Sequence, residues 1–145
     1  NLALIRSKVD LSNVKSAVTE DEKNRALQGQ SPYIANCGLQ YVETKKGIGV
    51  SLLFNRIGRR IAQVGSNGFL SIYEAPRSVF DIQVSKKFLK QKNLEIKFNA
   101  SDILNNQSVF YQDQNASGKF EDGADTKFTG IKLGVNYSVS LSWKF

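Results

Sequence analysis

The residues of this chain that could carry out chemistry are few, and the residue types it lacks exclude several functions. The 145 residues include no His and a single Cys, Cys37. Without His there is no Ser–His–Asp or Cys–His catalysis and no imidazole ligand for a metal. One Cys forms neither an internal disulfide nor a thiolate zinc cluster, so Cys37 is interpreted as a small hydrophobic residue. We therefore expect a protein that is not an enzyme and that uses no cofactor.

A polar segment in the last third of the chain resembles the start of a calcium-binding loop. Asp113, Asn115 and Ser117 place oxygen atoms at its first, third and fifth positions, and Gly118 occupies the sixth. The twelfth position is Ala124, where such a loop requires a bidentate Glu. The segment therefore predicts a polar surface loop rather than a metal site.

Basic residues are in excess, with 20 Lys and Arg against 13 Asp and Glu and a net charge of +7. Such an excess can indicate a nucleic-acid partner. Here the basic residues are scattered, their densest pairs are Lys45–Lys46 and Lys86–Lys87, and no aromatic stacking platform lies among them. We therefore expect no nucleic-acid partner, and we interpret these charges as belonging to solvated turns and loops.

The elements that position these residues are indicated most strongly near the C-terminus. From Ile131 to Phe145, every odd position is apolar and every even position is polar or small. A period of two over fifteen residues predicts a strand and excludes a helix. Ordinary strands are about five or six residues long, so this strand is unusually long for a soluble sheet.

The same alternation recurs along the chain and predicts six strands. We expect them at about residues 2–13, 32–43, 47–61, 77–88, 92–105 and 129–145. The nearest approach to a helix is a single possible turn between Ser16 and Gln28, with Thr19 to Glu22 as its cap. The predicted fold class is all-β, an antiparallel up-and-down meander of about six long strands.

The lengths of the connections alternate between short and long. Strands two and three, and strands four and five, are joined by about three residues each, whereas the other three connections span roughly 14–31, 62–76 and 106–128. This alternation is typical of an outer-membrane β-barrel, which has tight periplasmic turns and long extracellular loops. The polar strand faces are rich in Gly, Ser, Asn and Gln, which suits a water-filled lumen. The sequence thus predicts part of a transmembrane barrel.

Aromatic residues are expected near both ends of the apolar strand faces. The predicted strands place Tyr41, Phe88, Trp143 and Phe145 toward the periplasmic end, and Tyr33, Phe54 and Phe80 toward the other end. Tyr and Trp favour the headgroup region because one edge of each ring is apolar and the other is polar. The alternative interpretation is that these rings fill the core of a soluble sandwich.

Five stretches of the sequence carry a resemblance to a known family. They are Arg25–Asn36 with Gly38–Tyr41 after it, Phe54–Ile61, Tyr73–Arg77, Asn99–Asn105, and the alternating strand that ends at Phe145. Together they resemble the C-terminal end of the barrel of a TonB-dependent receptor of Gram-negative outer membranes. The fourth stretch departs from the family motif, because Ile103, Leu104 and Asn105 replace its usual residues.

The resemblance implies a 22-stranded barrel plugged by an N-terminal domain, which takes up bulky nutrients such as metal chelates, glycans or peptides. Implied partners are outer-membrane lipid, the rest of the barrel and its plug, the barrel-assembly machinery, TonB acting through the plug, and a surface lipoprotein. Neither the plug nor the segment that contacts TonB is in this sequence, and six strands are too few to close a barrel. We therefore expect a segment of a larger barrel in the cell outer membrane.

Two sets of site residues follow from the resemblance. The first is the barrel-assembly signal, formed by the terminal aromatic residue and the residues on its face, namely Phe145, Trp143, Leu141, Val139 and Tyr137. The second is a group of arginines near the outer ends of strands three and four, which could bind lipopolysaccharide phosphates, namely Arg56, Arg59, Arg60 and Arg77. The alternative for the arginines is salt bridges with Glu74 or neighbouring acids.

Two other functions remain open from the residues alone. One is a soluble β-sandwich or small-barrel ligand-binding protein, whose apolar strand faces would turn inward. The other is a structural or adhesive outer-membrane barrel that does not transport. The sequence does not name a transported substrate, because most residues that would line the lumen, and the plug, are not in it.

Overall fold

The computed structural model describes residues 1–11, 24–65, 68–88 and 93–144. Within these ranges the chain forms twelve strands and no helix, and every pairing between strands is antiparallel. The strands are β1 (Leu2–Leu4), β2 (Val9–Asp10), β3 (Asn24–Arg25), β4 (Tyr33–Glu43), β5 (Ile48–Ile57), β6 (Arg60–Gln63), β7 (Ile72–Glu74), β8 (Arg77–Phe88), β9 (Leu94–Ser101), β10 (Ser108–Gln112), β11 (Thr126–Ile131) and β12 (Asn136–Trp143). No helix long and apolar enough to span a membrane occurs in this part of the chain.

Six strands form the main sheet, in the order β1-β4-β5-β8-β9-β12. These are the six predicted strands in their predicted order, so the all-β class and the antiparallel meander are confirmed. β4, β5 and β8 have 11, 10 and 12 residues, whereas β9 and β12 have 8 each and β1 has 3. β1 and β12 lie at the two edges, and the described residues form no closed barrel.

The long predicted strands are interrupted, which corrects their expected bounds. β1 and β2 are separated by Ile5–Lys8, β5 and β6 by Gly58–Arg59, β9 and β10 by Asp102–Gln107, and β11 and β12 by Lys132–Val135. Asp102 has a φ of 54° and Gly134 a φ of 84°. Such left-handed residues cannot continue a strand, so the expectation of one unbroken strand from Ile131 to Phe145 is wrong.

The strand segments beyond these interruptions form a small sheet, in the order β11-β10-β7-β6. The order matches that of β12, β9, β8 and β5 in the main sheet, so each small-sheet strand continues a main-sheet strand. β2 and β3 likewise pair beyond β1 and β4. The connections predicted as long loops therefore contain strands, whose register is shifted by irregularities next to Ile61 and Tyr111. The helical turn expected near Thr19–Glu22 lies outside the described residues.

The two faces of the main sheet differ in polarity. Residues paired across the strands share a face, and one such row contains Leu39, Leu52, Ile82, Ala100 and Tyr137, followed two residues along by Tyr41, Val50, Val84, Phe98 and Val139. The intervening row is polar and contains Gln40, Ser51, Gln83, Asn99 and Ser138. We call these the apolar face and the polar face. Cys37 pairs with Phe54 on the apolar face, as predicted.

No second layer of the described chain covers the apolar face. Val139 and Leu141 are 71% and 69% exposed, and the buried hydrophobic residues are Ile61, Ala100 and Tyr111. A compact monomer of 16.1 kDa exposes about 7,400 Å², whereas this chain exposes 10097 Å². The main sheet is therefore held together by its backbone ladder and not by a closed hydrophobic core.

The turns and interruptions fall at opposite ends of the main sheet. Thr44–Gly47 joins β4 to β5, and Gly47 accepts a hydrogen bond from the backbone of Lys87. The N–H of Lys144 donates to Asn93, which places the end of β12 at the same end of the sheet as this turn. The small sheet lies at the other end, as the predicted alternation of short and long connections requires.

A half-buried ion pair fastens the two sheets together. Arg77, at the start of β8, forms a salt bridge with Asp102, and its Nη1 donates to Ser108 of the small sheet at 3.4 Å. The side chains of Arg77 and Asp102 are 20% and 13% exposed, and the backbone N–H of Asp102 donates to Asp81. Asp102 therefore holds its left-handed conformation through hydrogen bonds on both its backbone and its side chain.

Replacing Arg77 with Gln is expected to lower the free energy of unfolding by about 1–3 kcal/mol, because the Asp102 carboxylate would lose its cationic partner while remaining mostly buried. The matched control is Lys97→Gln, which breaks the more exposed Lys97–Glu95 pair, 3.5 Å apart, and should cost less than about 1 kcal/mol. Urea unfolding of the detergent-solubilised protein measures both. Equal losses for the two variants would show that Arg77 does not fasten the sheets.

Candidate functional site

The candidate site is a cleft at the junction of the main sheet and the small sheet. It has a volume of about 780 Å³ and is lined by the connection between β1 and β2, the segment leading into β4, the junction between β5 and β6, β7, and the loop between β10 and β11. Among the described residues that line it, six side chains are cationic and none is acidic: Arg6, Arg25, Arg56, Arg59, Arg60 and Lys119. We call this the cationic cleft.

Arg56 is positioned by two hydroxyl groups on the apolar side of β5. Its Nη1 donates to Ser78 Oγ at 2.8 Å, and its Nε donates to Tyr33 Oη at 3.3 Å. Ser78 and Arg56 are paired across β5 and β8, so the sheet register itself sets this contact. Neither partner is negatively charged, so these two contacts do not offset the charge of Arg56.

The chain passes from β5 into β6 through Gly58, which is buried. An added Cβ there would lie 2.7 Å from the ring of Tyr33 and 2.9 Å from Ser31 Oγ, so only Gly fits beneath the Tyr33 ring. Arg59 and Arg60 follow directly and are thereby directed to the cleft. Arg60 Nε pairs with Glu74 Oε2 at 2.6 Å, which confirms the predicted alternative of a salt bridge with Glu74.

Arg59 is held in place from both sides. Its guanidinium carbon lies 3.6 Å from the centroid of the Tyr73 ring, a cation–π contact. Its Nη1 also pairs with Asp113 Oδ2 at 3.0 Å, and Asp113 is 5% exposed. Arg59 therefore anchors the loop that carries Lys119 into the cleft.

The loop between β10 and β11 uses its own oxygen atoms to fold. Asp113 accepts hydrogen bonds from the backbone N–H groups of Ser117 and Gly118, and Asn115 also accepts from Ser117. Asp125 accepts from the backbone N–H of Gln114. The Asp113 carboxylate, at the first position of the segment that resembles a calcium loop, thus holds the turn of its own loop and pairs with Arg59.

The aromatic cluster behind the cleft is the best-buried part of the described structure. Tyr111 is 0% exposed, and its ring contacts those of Tyr73 and Phe120 at centroid distances of 6.1 and 5.3 Å. Burial raises the pKa of Tyr111 to about 12, although the positive charge of Arg59 acts in the opposite direction. Its hydroxyl has no hydrogen-bond partner in the structure. The cluster supports the loop through packing alone.

Three of the four arginines singled out from the sequence meet in the cationic cleft. They are Arg56, Arg59 and Arg60, whereas Arg77 lies with Asp102 and does not line it. Arg6, Arg25 and Lys119 were missed, since each is an isolated basic residue in the sequence. The predicted meander contained a partial signal for Arg6 and Arg25, because it puts strand two between strands one and three, with the 14–31 connection at one end of strand two.

Four of the five residues of the predicted assembly signal lie on one face of β12. Tyr137, Val139, Leu141 and Trp143 alternate with Ser138, Ser140 and Ser142 in register with β9, and all four are exposed. The Tyr137 ring stacks on Phe98 of β9, with centroids 6.1 Å apart. Phe145 lies outside the described residues. The predicted shared face is therefore confirmed for the part of the strand that the structure describes.

Comparison with protein-family models, with curated proteins and with solved structures finds no match to this chain. The arrangement of the described residues is therefore the basis for the proposals below.

Proposed function

We propose that this chain forms part of the wall of a transmembrane outer-membrane β-barrel belonging to an active import receptor of the TonB-dependent type. The observation that carries the proposal is the uncovered apolar face of the main sheet. A lipid bilayer would cover that face without any second protein layer. Removing each large apolar side chain from water would stabilise the protein by roughly 1.5–3 kcal/mol.

The dimensions of the main sheet support a membrane location. A strand tilted in a barrel wall needs about 9–11 residues to cross the bilayer, and β4, β5 and β8 meet this length. Lys86 lies on the apolar face close to the Thr44–Gly47 turn. The Nζ of Lys86 donates to the carbonyl oxygen of Lys46 in that turn at 2.8 Å. This is the behaviour of a lysine that extends its charge toward the membrane surface.

The opposite face of the main sheet supports a wet lumen. A concavity of about 390 Å³ lies against it, lined by residues that include Gln40, Ser51, Gln83, Ser85 and Lys97. Small and amide side chains leave room for water, which lets a barrel enclose a channel or a plug. In the proposed barrel the open edges at β1 and β12 pair with further strands, because unpaired backbone groups are costly in lipid.

The soluble alternative is less well supported. A β-sandwich would pack Val139 and Leu141 against a second sheet, but in the described structure no second sheet covers them, and they are 71% and 69% exposed. The partners of the proposed receptor are those its type implies: outer-membrane lipid, the remaining barrel and plug, the assembly machinery, TonB and a surface lipoprotein. Transport, as opposed to a structural or adhesive role, rests on the sequence resemblance alone.

Trp143 is the one Trp of the chain and serves as a reporter of the membrane. It shares a row with Leu94 and Phe88 at the turn end of the apolar face. We expect its fluorescence in vesicles to be quenched strongly by lipids brominated near the headgroup and weakly by aqueous acrylamide. The matched control carries Trp143→Phe with Ser142→Trp, which moves the reporter to the polar face and should reverse the pattern.

Strong acrylamide quenching of Trp143 without lipid quenching would overturn the membrane location. The transport part of the proposal needs a separate measurement, namely cellular accumulation of labelled metal chelates, glycans and peptides with and without TonB. A receptor requires TonB for accumulation of one of them. A structural or adhesive barrel leaves the accumulation of all of them unchanged when its gene is deleted.

A further inference from the structure

We infer that the cationic cleft binds a ligand carrying two phosphate groups. The inference goes beyond the proposed import function, since it requires only the cleft and holds whether or not the main sheet spans a membrane. It rests on the number of uncompensated charges, on how they are held, and on the size of the space between them.

The charges of the cleft favour a ligand with about four negative charges. Arg59 and Arg60 are paired with Asp113 and Glu74. The other four cations have no carboxylate partner among the described residues: Arg6, Arg25, Arg56 and Lys119. A phosphate monoester carries about 1.5 to 2 negative charges at neutral pH, so two such groups balance these four cations. A single carboxylate would leave most of the charge unbalanced, and a sulfate would leave half of it unbalanced.

The arrangement of the cations also suits phosphate. Guanidinium groups present paired N–H donors that match the oxygens of a phosphate. Arg56 is preoriented by Tyr33 and Ser78, and Arg59 by Tyr73 and Asp113. Preorganised donors lose little conformational entropy on binding. The Nε of Arg25 is buried without a hydrogen-bond partner, so the internal contacts of the fold do not use all the donors of the cleft.

The volume and walls of the cleft indicate that the two phosphates are joined by an organic scaffold. About 780 Å³ is far more than one inorganic ion fills, and it falls within the usual range for small-molecule sites. Between the cations the walls include Ile5, Pro32, Ile61 and Pro76, which offer apolar contact to such a scaffold. A soluble bisphosphorylated sugar and the headgroup of a diphosphorylated glycolipid share this chemistry.

The test is a titration of the detergent-solubilised full chain with glucose 1,6-bisphosphate, and of the chain in nanodiscs with a diphosphorylated glycolipid. We expect at least one of these two probes to bind. The monophosphorylated counterpart of that probe, and citrate, should each bind about tenfold more weakly or worse. Because these contacts are ionic, raising the salt concentration should weaken binding. Preference for the soluble probe or for the glycolipid identifies the source of the phosphates.

Two variants locate the site. Arg56→Gln and Lys119→Gln should each weaken binding by about tenfold. Arg56→Lys keeps the charge but loses the paired donors, so its affinity should lie between that of Arg56→Gln and that of the unaltered protein. Lys119 is exposed in its loop, so its substitution tests the site without disturbing the fold. Lys45→Gln removes the same charge at the turn end and should change binding by less than about twofold.

Three results would overturn the inference. One is the failure of both bisphosphorylated probes to bind at millimolar concentration. Another is equal binding of citrate, which would show a general anion surface. The third is an equal loss in Lys45→Gln and Lys119→Gln, which would show that only net charge matters. The Trp143 quenching experiment is unaffected by any of them, so the two proposals fail independently.

Discussion

Replacing Val139 with Lys is expected to destabilise the protein in a phospholipid bilayer by about 2–4 kcal/mol, the cost of a lysine on the lipid face near the midplane. Val139 is 71% exposed at the edge strand of the main sheet, and its row across the sheet contains Phe98, Val84 and other uncharged side chains. No group in that row would pair with the new charge. Reversible guanidinium unfolding of the full protein in vesicles measures the loss.

The matched control for this prediction is Ser138→Lys, one residue earlier on the same strand. Its row on the polar face contains Asn99, Gln83, Ser51 and Gln40, where a lysine stays in water. The control should change stability by no more than about 0.5 kcal/mol. If both variants lose the same amount, or if the Val139 variant loses nothing, the apolar face does not meet lipid.

Replacing Tyr111 with Ala should cost about 3–5 kcal/mol, since it removes the fully buried ring between Tyr73 and Phe120 and leaves a cavity. Tyr111→Phe should leave stability unchanged or raise it, because the buried hydroxyl has no hydrogen-bond partner. Thermal unfolding followed by near-ultraviolet circular dichroism detects both. A large loss in the Phe variant would show that the hydroxyl is hydrogen-bonded after all.

The same residue predicts a dependence on alkaline pH. Burial raises the pKa of Tyr111 from 10.0 to about 12, so between these values the folded state holds a proton that the unfolded state has released. Stability therefore falls as pH rises from about 10 to about 12, by at most about 1.4 kcal/mol per pH unit. The Tyr111→Phe variant should lack this decrease. The difference between the two proteins separates the effect of Tyr111 from that of lysines, which titrate in the same pH range. Identical pH profiles for the two proteins would contradict the assignment.

The main sheet was predictable because its signals are local. Period-two alternation marks a strand wherever one face is apolar, and the Thr44–Gly47 turn is short enough to force neighbouring strands together. The interruptions were not predictable in the same way. Leu133 and Val135 continue the apolar alternation, yet both lie in the Lys132–Val135 interruption, with the left-handed Gly134 between them. Apolar periodicity reports which side chains avoid water and is insensitive to a single left-handed residue.

The cationic cleft was predictable only in part, for a different reason. Arg59 and Arg60 are adjacent and follow Gly58, so a local cluster was visible in the sequence. Arg59 pairs with Asp113, which is distant along the chain. Arg6 follows β1, which pairs with β4, and Arg25 lies in β3, which pairs with β2. Contacts between distant segments depend on the complete strand order and on side-chain directions, which alternation alone does not supply.

The interruptions that follow β5 and β9 and precede β12 all fall between the main sheet and the small sheet, and this has a consequence for how such a protein can diversify. Because no ladder of hydrogen bonds runs unbroken from the small sheet into the main sheet, an inserted or deleted residue in the small sheet need not shift the pairing of β5 with β8. The segments that form the cleft can thus change in length and sequence while the main sheet keeps its register.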